Sequence, residues 1–292
     1  MNPEHLDAKA KLGKIYLLSN DTAKAEKMAD EILAKKPADP AGHTLKAALM
    51  ARNGDVAGAI QEASQVVAAD PLQFEAVSLL AALHIKQGDE AKGREVLEKG
   101  IKDNPRNIPL RMDLVVIAME HNDIAKAETL LIEVIAVDQK KLEYRARLAA
   151  FYARTNQLDK AEKVLREALR MDPEDEARHL LLTEFLDVRK GPEVAERELL
   201  SVIQSKPKAY KLRFALARLY QKMNKLEKLR QVYLDIIGLD KAGPEGLRAK
   251  SQLAEIEALT GKKDAAKNLI AEVLNENPRD VQALLLRGKM SL

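Results

Sequence analysis

The chain has 292 residues, 46% hydrophobic and 32% charged, with six Tyr, four Phe, no Trp and no Cys. The missing cysteines exclude disulfides, thiol nucleophiles and thiolate metal sites, and no apolar run is long enough for a membrane-spanning helix. The net charge of +3 is small for this length and names no partner, while the wealth of Ala, Leu, Glu, Lys and Arg favours helix almost throughout.

The N-terminal Met1-Asn2-Pro3-Glu4-His5 is polar and lacks the apolar stretch of a signal peptide. Beyond it the prolines set a ruler: Pro37, Pro71, Pro105, Pro173 and Pro207 are spaced by 34, 34, 68 and 34 residues, and Pro278 follows 71 later. A fixed period of this length with a closing proline predicts an array of helix–turn–helix repeats. With each proline at repeat position 32, the first repeat starts at Leu6, with Leu12-Gly13 at positions 7 and 8, Tyr16 at 11 and Ala25 at 20. Repeats then start at Pro40, Phe74, Ile108, Leu142, Glu176 and Tyr210, and an eighth starts at Leu247 after a three-residue insertion. A partial repeat spans 281–292.

Each recurring residue has a physical task. Positions 8 and 20 are small so that the two helices of a repeat can cross closely. Positions 7 and 11 fill the space between repeats. The pairs Gly54-Asp55, Gly88-Asp89 and Asn122-Asp123 end each first helix through a left-handed Gly or Asn, and their Asp caps the next helix. The proline cannot continue the second helix.

Carried by Leu12-Gly13, Tyr16, Ala25 and Pro37 and their later copies, the chain resembles the tetratricopeptide repeat family, without its Trp and with Lys46 where Leu is usual. The resemblance implies an all-α, right-handed superhelical solenoid of about eight helix–turn–helix repeats plus a partial ninth, forming a single array over 1–292. Three places depart from the pattern. Gln139 replaces the closing proline, so the fourth repeat's second helix is expected to run on by a turn. Leu229 stands at small position 20, and Ala242-Gly243-Pro244-Glu245-Gly246 carries the insertion, so wider helix spacing and a changed superhelical path are expected across 229–246. The C-terminal stretch lacks the polar capping helix that solenoids usually carry, so a fragment of a longer array is expected, with a natural helical end as the alternative.

Catalytic and metal signals are weak. Thr260-Gly261-Lys262-Lys263 lacks the upstream glycine of a phosphate loop. His43, His84 and His179 fall at packing positions, and no two His stand four apart on a helix. Seven serines lack the context of a nucleophile, and Glu174-Asp175-Glu176 suits a helix start better than a catalytic pair. The expectation is a non-enzymatic protein with no metal, cofactor or small-molecule substrate.

In the resembled family, first-helix positions 2, 5, 9, 12 and 13 face a concave groove. Carried over, they give a small-to-apolar floor of Thr44, Ala48, Ala51, Ser78, Ala82, Ile85, Met112, Val116, Met119, Ala146, Ala150 and Ala153, flanked by Arg52, Lys86, Glu120 and Arg154. Further on, Glu184, Asp187, Arg218, Gln221, Lys222, Arg248 and Glu255 make the groove polar. Such a floor suits an extended peptide or an amphipathic helix, so the expected function is a protein–protein interaction scaffold. The chaperone-type carboxylate clamp is not met. The segments Ala283–Gly288 and Gly243–Ala249 are similar to long bacterial multi-repeat envelope proteins of lipoprotein type. That similarity implies a cell-envelope or periplasmic place in an exopolysaccharide or secretion assembly, with the cytoplasm left open.

A second reading rests on charge. Residues 206–250 hold twelve Lys or Arg against four Asp or Glu, including Lys211, Arg218, Lys222 and Arg248, and could bind a polyanion. Tyr210, Tyr220 and Tyr233 sit at packing positions, which disfavours base stacking. A solvated face, or a patch for an acidic protein or polysaccharide, is therefore preferred to nucleic acid.

Overall fold

A computed structural model describes residues 5–290 of the chain. Among the described residues there are seventeen α-helices and no strand. They run as pairs: α1 (Leu6–Leu18) with α2 (Thr22–Lys35), α3 (Pro40–Arg52) with α4 (Val56–Ala69), α5 (Phe74–Lys86) with α6 (Glu90–Asp103) and α7 (Ile108–Glu120) with α8 (Ile124–Val137). The series continues with α9 (Leu142–Arg154) and α10 (Leu158–Met171), α11 (Glu176–Lys190) and α12 (Pro192–Ser205), α13 (Tyr210–Lys222) and α14 (Leu226–Asp240), and α15 (Pro244–Leu259) and α16 (Lys263–Glu276), and then α17 (Val281–Met290). The helices group into two compact units, Met1–Tyr144 and Arg145–Leu292.

The turn within each of the first four pairs follows from two residues, and the later pairs lack the capping Asp. Asn20, Asn122, Asn156 and Asn224 have φ between 55° and 65°, and Gly54 and Gly88 have φ of 94°. These are left-handed conformations that stop the first helix. A Cβ at Gly54 or Gly88 would meet nothing within 4 Å, so glycine is required there by the backbone angle and not by space. The next residue starts the second helix. Asp21, Asp55, Asp89 and Asp123 accept from the backbone N–H of Lys24, Gly58, Lys92 and Lys126 at 2.8–3.3 Å, each satisfying a donor that the helix leaves free.

The closing proline is not what ends the second helices. Helix α8 stops at Val137, with the same 14 residues as α2, α4 and α6, although Gln139 stands where they have proline. The expected extra turn is absent. The Asp138 side chain accepts from the N–H of Lys140 at 3.1 Å, as Asp70 does from Leu72 and Asn104 from Arg106. This Asx turn folds the chain away from the helix whatever residue sits in its middle.

Packing repeats as the helices do. The small residues Ala25, Ala59, Ala127, Ala161, Ala195 and Ala266 are all fully buried where second helices cross first ones. At Gly13 a Cβ would collide with Leu45 Cδ2 and come within 3.3 Å of Met28. Within each unit, second helices pack on the first helices that precede and follow them. First helices also touch one another, α1 with α3, α3 with α5 and α5 with α7 in one unit, and α11 with α13 and α15 with α17 in the other. Second helices make no comparable mutual contact among the described residues. Helices on the inside of a curved stack are the ones forced together, so within each unit the first helices form the inner face.

The insertion is absorbed as helix. α15 starts at Pro244, three residues before Leu247, and reaches 16 residues. Asp240 accepts from the N–H of Glu245 and Gly246 at 2.8 and 2.9 Å, and Lys241 turns the chain at φ 45°. A Cβ on Gly246 would run into the Lys241 carbonyl. α13 and α15 make a smaller contact than α11 with α13 or α15 with α17, while α14 and α15 pack extensively. Asp240→Ala is expected to lower stability by about 1 kcal/mol, read from the midpoint of urea unfolding.

Candidate functional site

In the first unit the inner face carries a row from position 9 of each first helix. Ala48 is half-buried, Ala82 is exposed and Val116 is 54% exposed. Ser78, Ile85, Met112 and Met119 are half-buried beside that row. Thr44 and Ala51 are buried, and the Thr44 hydroxyl donates to the Pro40 carbonyl at 2.7 Å, so these two support the floor from beneath. The N-terminal end of the row is bridged by Lys14 of α1, which reaches Glu75 of α5 at 3.0 Å.

The flanking cations have work within the fold. Arg52 donates to the Leu17 carbonyl at 2.8 Å and to the Asn20 side chain. Lys86 donates to the Ala51 carbonyl at 3.3 Å. Each cation therefore covers the carbonyl end of the preceding first helix, where the helix dipole is negative. Glu120 is exposed at the same position of α7.

Asp113 is a residue that the positional carry-over missed. It accepts from the Ser78 hydroxyl at 2.5 Å, and burial pushes its carboxyl above the usual aspartate value. Its signal in the sequence is a lone acid in the otherwise apolar run Leu110–Ala118, broken only there and at Arg111.

In the second unit Ala150 and Arg154 are exposed and Ala146 and Ala153 half-buried. Further along, α11 and α13 border a cleft of about 460 Å³. Its floor is Leu180, Thr183, Leu199, Ala215 and Leu219, with Glu184 and Asp187 on one wall and Arg218 and Lys222 on the other. Lys222 and Asp187 pair across it at 2.8 Å. Beyond the cleft the Arg248 guanidinium lies 4.2 Å from the centroid of the buried Phe214 ring, a cation–π contact. Gln221 and Glu255 are exposed.

The basic surplus of 206–250 is largely neutralised by residues from outside that window. Lys206 pairs with Glu174, Lys222 with Asp187, Lys225 and Lys228 with Glu196, Arg230 with Glu257 and Lys250 with Glu272. Arg213 and Arg248 pair within the window, with Asp235 and Glu245. Counting charges along the sequence missed acids that the fold brings in from neighbouring helices. Lys211 and Arg218 stay exposed.

The strongest electrostatic perturbation is structural. Glu196 is 9% exposed and accepts from Tyr220 Oη at 3.0 Å, Lys225 Nζ at 3.0 Å and Lys228 Nζ at 2.7 Å. Burial alone would raise its carboxyl, but these three donors outweigh that and hold it down to about 2. The Tyr220 hydroxyl is pushed up to about 12 by burial and by its bond to Glu196. One repeat on, the positions of Glu196 and Tyr220 hold Arg230 and Glu257, and the carboxylate–phenol hydrogen bond is replaced by an ion pair.

The histidines bond to the fold. His43 meets Glu62 at 2.6 Å and the Pro37 carbonyl at 2.7 Å, and buried His179 meets the Pro173 carbonyl at 2.9 Å. Burial lowers His84 below the usual histidine value. Among the described residues no three His, Asp or Glu gather as a metal site. Asp175 caps α11 by accepting from Ala177 N–H at 2.8 Å, and Glu174 pairs with Lys206.

Comparison with known proteins agrees with this architecture. The tetratricopeptide repeat family model matches residues 1–49, 50–107, 91–150 and 118–185. A thermophilic TPR protein of Thermus thermophilus is 21% identical, with 62% of this chain and 99% of that one covered at a TM-score of 0.44. The pilF protein of Pseudomonas aeruginosa is 15% identical, covering 75% and 96% at a TM-score of 0.45. A tetratricopeptide repeat protein of Parabacteroides merdae is 14% identical, covering 98% and 99% at a TM-score of 0.39. No curated protein gave a significant match. The family match takes in residues 1–185, more than half of the chain, and the helix pairs continue beyond it: this chain belongs to the tetratricopeptide repeat family.

Proposed function

We propose that the chain is a scaffold that captures a peptide or helix of a protein partner on the concave face built by its first helices. Tetratricopeptide repeats are in general protein–protein interaction modules without chemistry of their own, and the finer claim concerns where capture occurs. The observation that carries it is the position-9 row of the first unit. Ala82 and Val116 are exposed and continue, with half-buried Ala48, a row of apolar residues on the first helices, and exposed apolar residues gathered in one patch mark an interaction surface. Half-buried Met112 and Met119 beside them can repack around different side chains.

The test uses peptides selected by display against the full chain. Replacing Ala82 and Val116 together by Glu puts two charges on the row. Both positions are exposed and Glu is a good helix former, so helicity and the melting transition are expected to stay unchanged. Peptide binding is expected to fall by more than about tenfold, the effect of desolvating unpaired carboxylates at an apolar contact. Undiminished binding would sink the reading. The basic stretch at 206–250 gains no second reading, because most of its cations already hold carboxylates.

A further inference from the structure

Resting on the reading of the first-helix face as a capture surface, we propose that the cleft between α11 and α13 takes an extended peptide segment carrying a basic, an apolar and an acidic side chain at alternate positions. Three observations lead there. The cleft holds about 460 Å³ over an apolar floor that includes Leu180, Leu199 and Leu219, which is room for one large aliphatic side chain and its backbone. Its walls have opposite charge, acids on α11 and bases on α13. Asp187 and Lys222 satisfy each other across the mouth at 2.8 Å, but Glu184 and Arg218 are exposed and have no hydrogen bond or ion pair among the described residues.

Glu184 and Arg218 occupy the same place in consecutive repeats, so they stand side by side at the cleft, one on each bordering helix. Packed helix axes lie roughly 8–10 Å apart, so the two charges are about one helix width apart and the peptide lies across them, over the cleft. In an extended chain residues i, i+2 and i+4 share one side, and the outer two stand about 13 Å apart at 3.3 Å per residue. A base at one end reaches Glu184, an acid at the other reaches Arg218, and the middle residue drops onto the leucines. A di-acidic segment would meet Glu184 and a di-basic one would meet Arg218, so like-charged segments are disfavoured on one wall each. Charge thus selects the pattern and the apolar floor supplies the affinity.

The experiment titrates the full chain calorimetrically with acetylated, amidated pentapeptides having Ser at positions two and four. Positions one, three and five are Lys, Leu and Glu in the matched peptide, with Lys-Leu-Lys, Glu-Leu-Glu and Lys-Ser-Glu as controls. The matched peptide is expected to bind about tenfold more tightly than any control. Glu184→Arg makes both walls basic and is expected to move the preference to the Glu-Leu-Glu peptide, while Arg218→Glu moves it to Lys-Leu-Lys. Both positions are exposed on helices, where Arg and Glu are well tolerated.

No binding of the matched peptide, equal binding of the three Leu peptides, or a preference unmoved in Glu184→Arg each overturns the proposal. So does equally tight binding of free lysine, which would assign the cleft to a small zwitterion. The outcome separates from that of the general reading. If Ala82→Glu/Val116→Glu abolishes display-peptide binding while these preferences fail, capture by the first-helix face stands and this cleft assignment falls. If the preferences hold while that variant binds normally, the row in the first unit falls and the cleft stands.

Discussion

Glu196→Ala is expected to lower the unfolding free energy by about 2–3 kcal/mol, the cost of stripping a nearly buried carboxylate from a hydrogen-bonded charge cluster. The figure sits below the full penalty for a broken buried pair because Lys225 and Lys228 are 34% and 54% exposed and can turn to water. Tyr220 cannot, since it is 4% exposed, and its hydroxyl is left without an acceptor. The sign with pH follows from the carboxyl being held down to about 2. Its contribution is fully present above the ordinary glutamate value near 4.3 and is lost as pH falls towards 2. Tyr220, raised to about 12, keeps its contribution below about pH 10 and loses it as pH climbs through 12. Glu196→Gln retains an acceptor for Tyr220 but not the charge. Urea unfolding at pH 7 and pH 3 is therefore expected to show a smaller acid loss for the Gln variant than for the natural chain. Equal losses would show that the cluster does not carry the effect.

Leu229→Ala is the second large effect, and its sign runs against the family pattern. Alanine is the usual residue at this small crossing position, as at Ala195 and Ala266, and a leucine there over-packs the crossing unless the helices spread. The structure buries Leu229 to 1% exposure, next to the stretch where α15 gains a turn and α13 and α15 loosen their contact. The seventh repeat is built around the large side chain, so truncation opens a cavity. A loss of about 2–5 kcal/mol is expected. The converse change Ala127→Leu, at a fully buried position of an ordinary repeat, is expected to cost about 1–3 kcal/mol. Thermal and urea unfolding of the two variants side by side reads the contrast. A stabilised Leu229→Ala would mean that the leucine is strained after all.

Helix–turn–helix architecture was legible because two local rules repeat in register. A left-handed Gly or Asn followed by a capping Asp marks the turns of the first four pairs, and small residues recur where helices cross. Both rules act within a few residues, so the sequence displays them directly. The misreading at Gln139 came from crediting the proline with a stop that the preceding Asx turn performs. The candidate site was less legible for a different reason. Arg52 and Lys86 were expected to flank the groove floor; the partners that the structure gives them are backbone carbonyls, and no side-chain identity announces those. The basic window at 206–250 looked rich because Glu174, Asp187, Glu196, Glu257 and Glu272, which neutralise it, lie outside it in the chain. The neighbouring placement of Glu184 and Arg218 is legible once the repeat is known, whereas the Asp187–Lys222 pairing that leaves them spare is not.

Helix packing within each unit joins elements one or two places apart in the chain. No distant stretch has to be found before a helix pair can settle, which favours quick assembly, and no distant stretch has to be released before a pair can leave. Under tension such a chain can yield by shedding pairs singly and rewinding them when slack returns. Each unit is then also a spring, with an elastic element of some 34 residues.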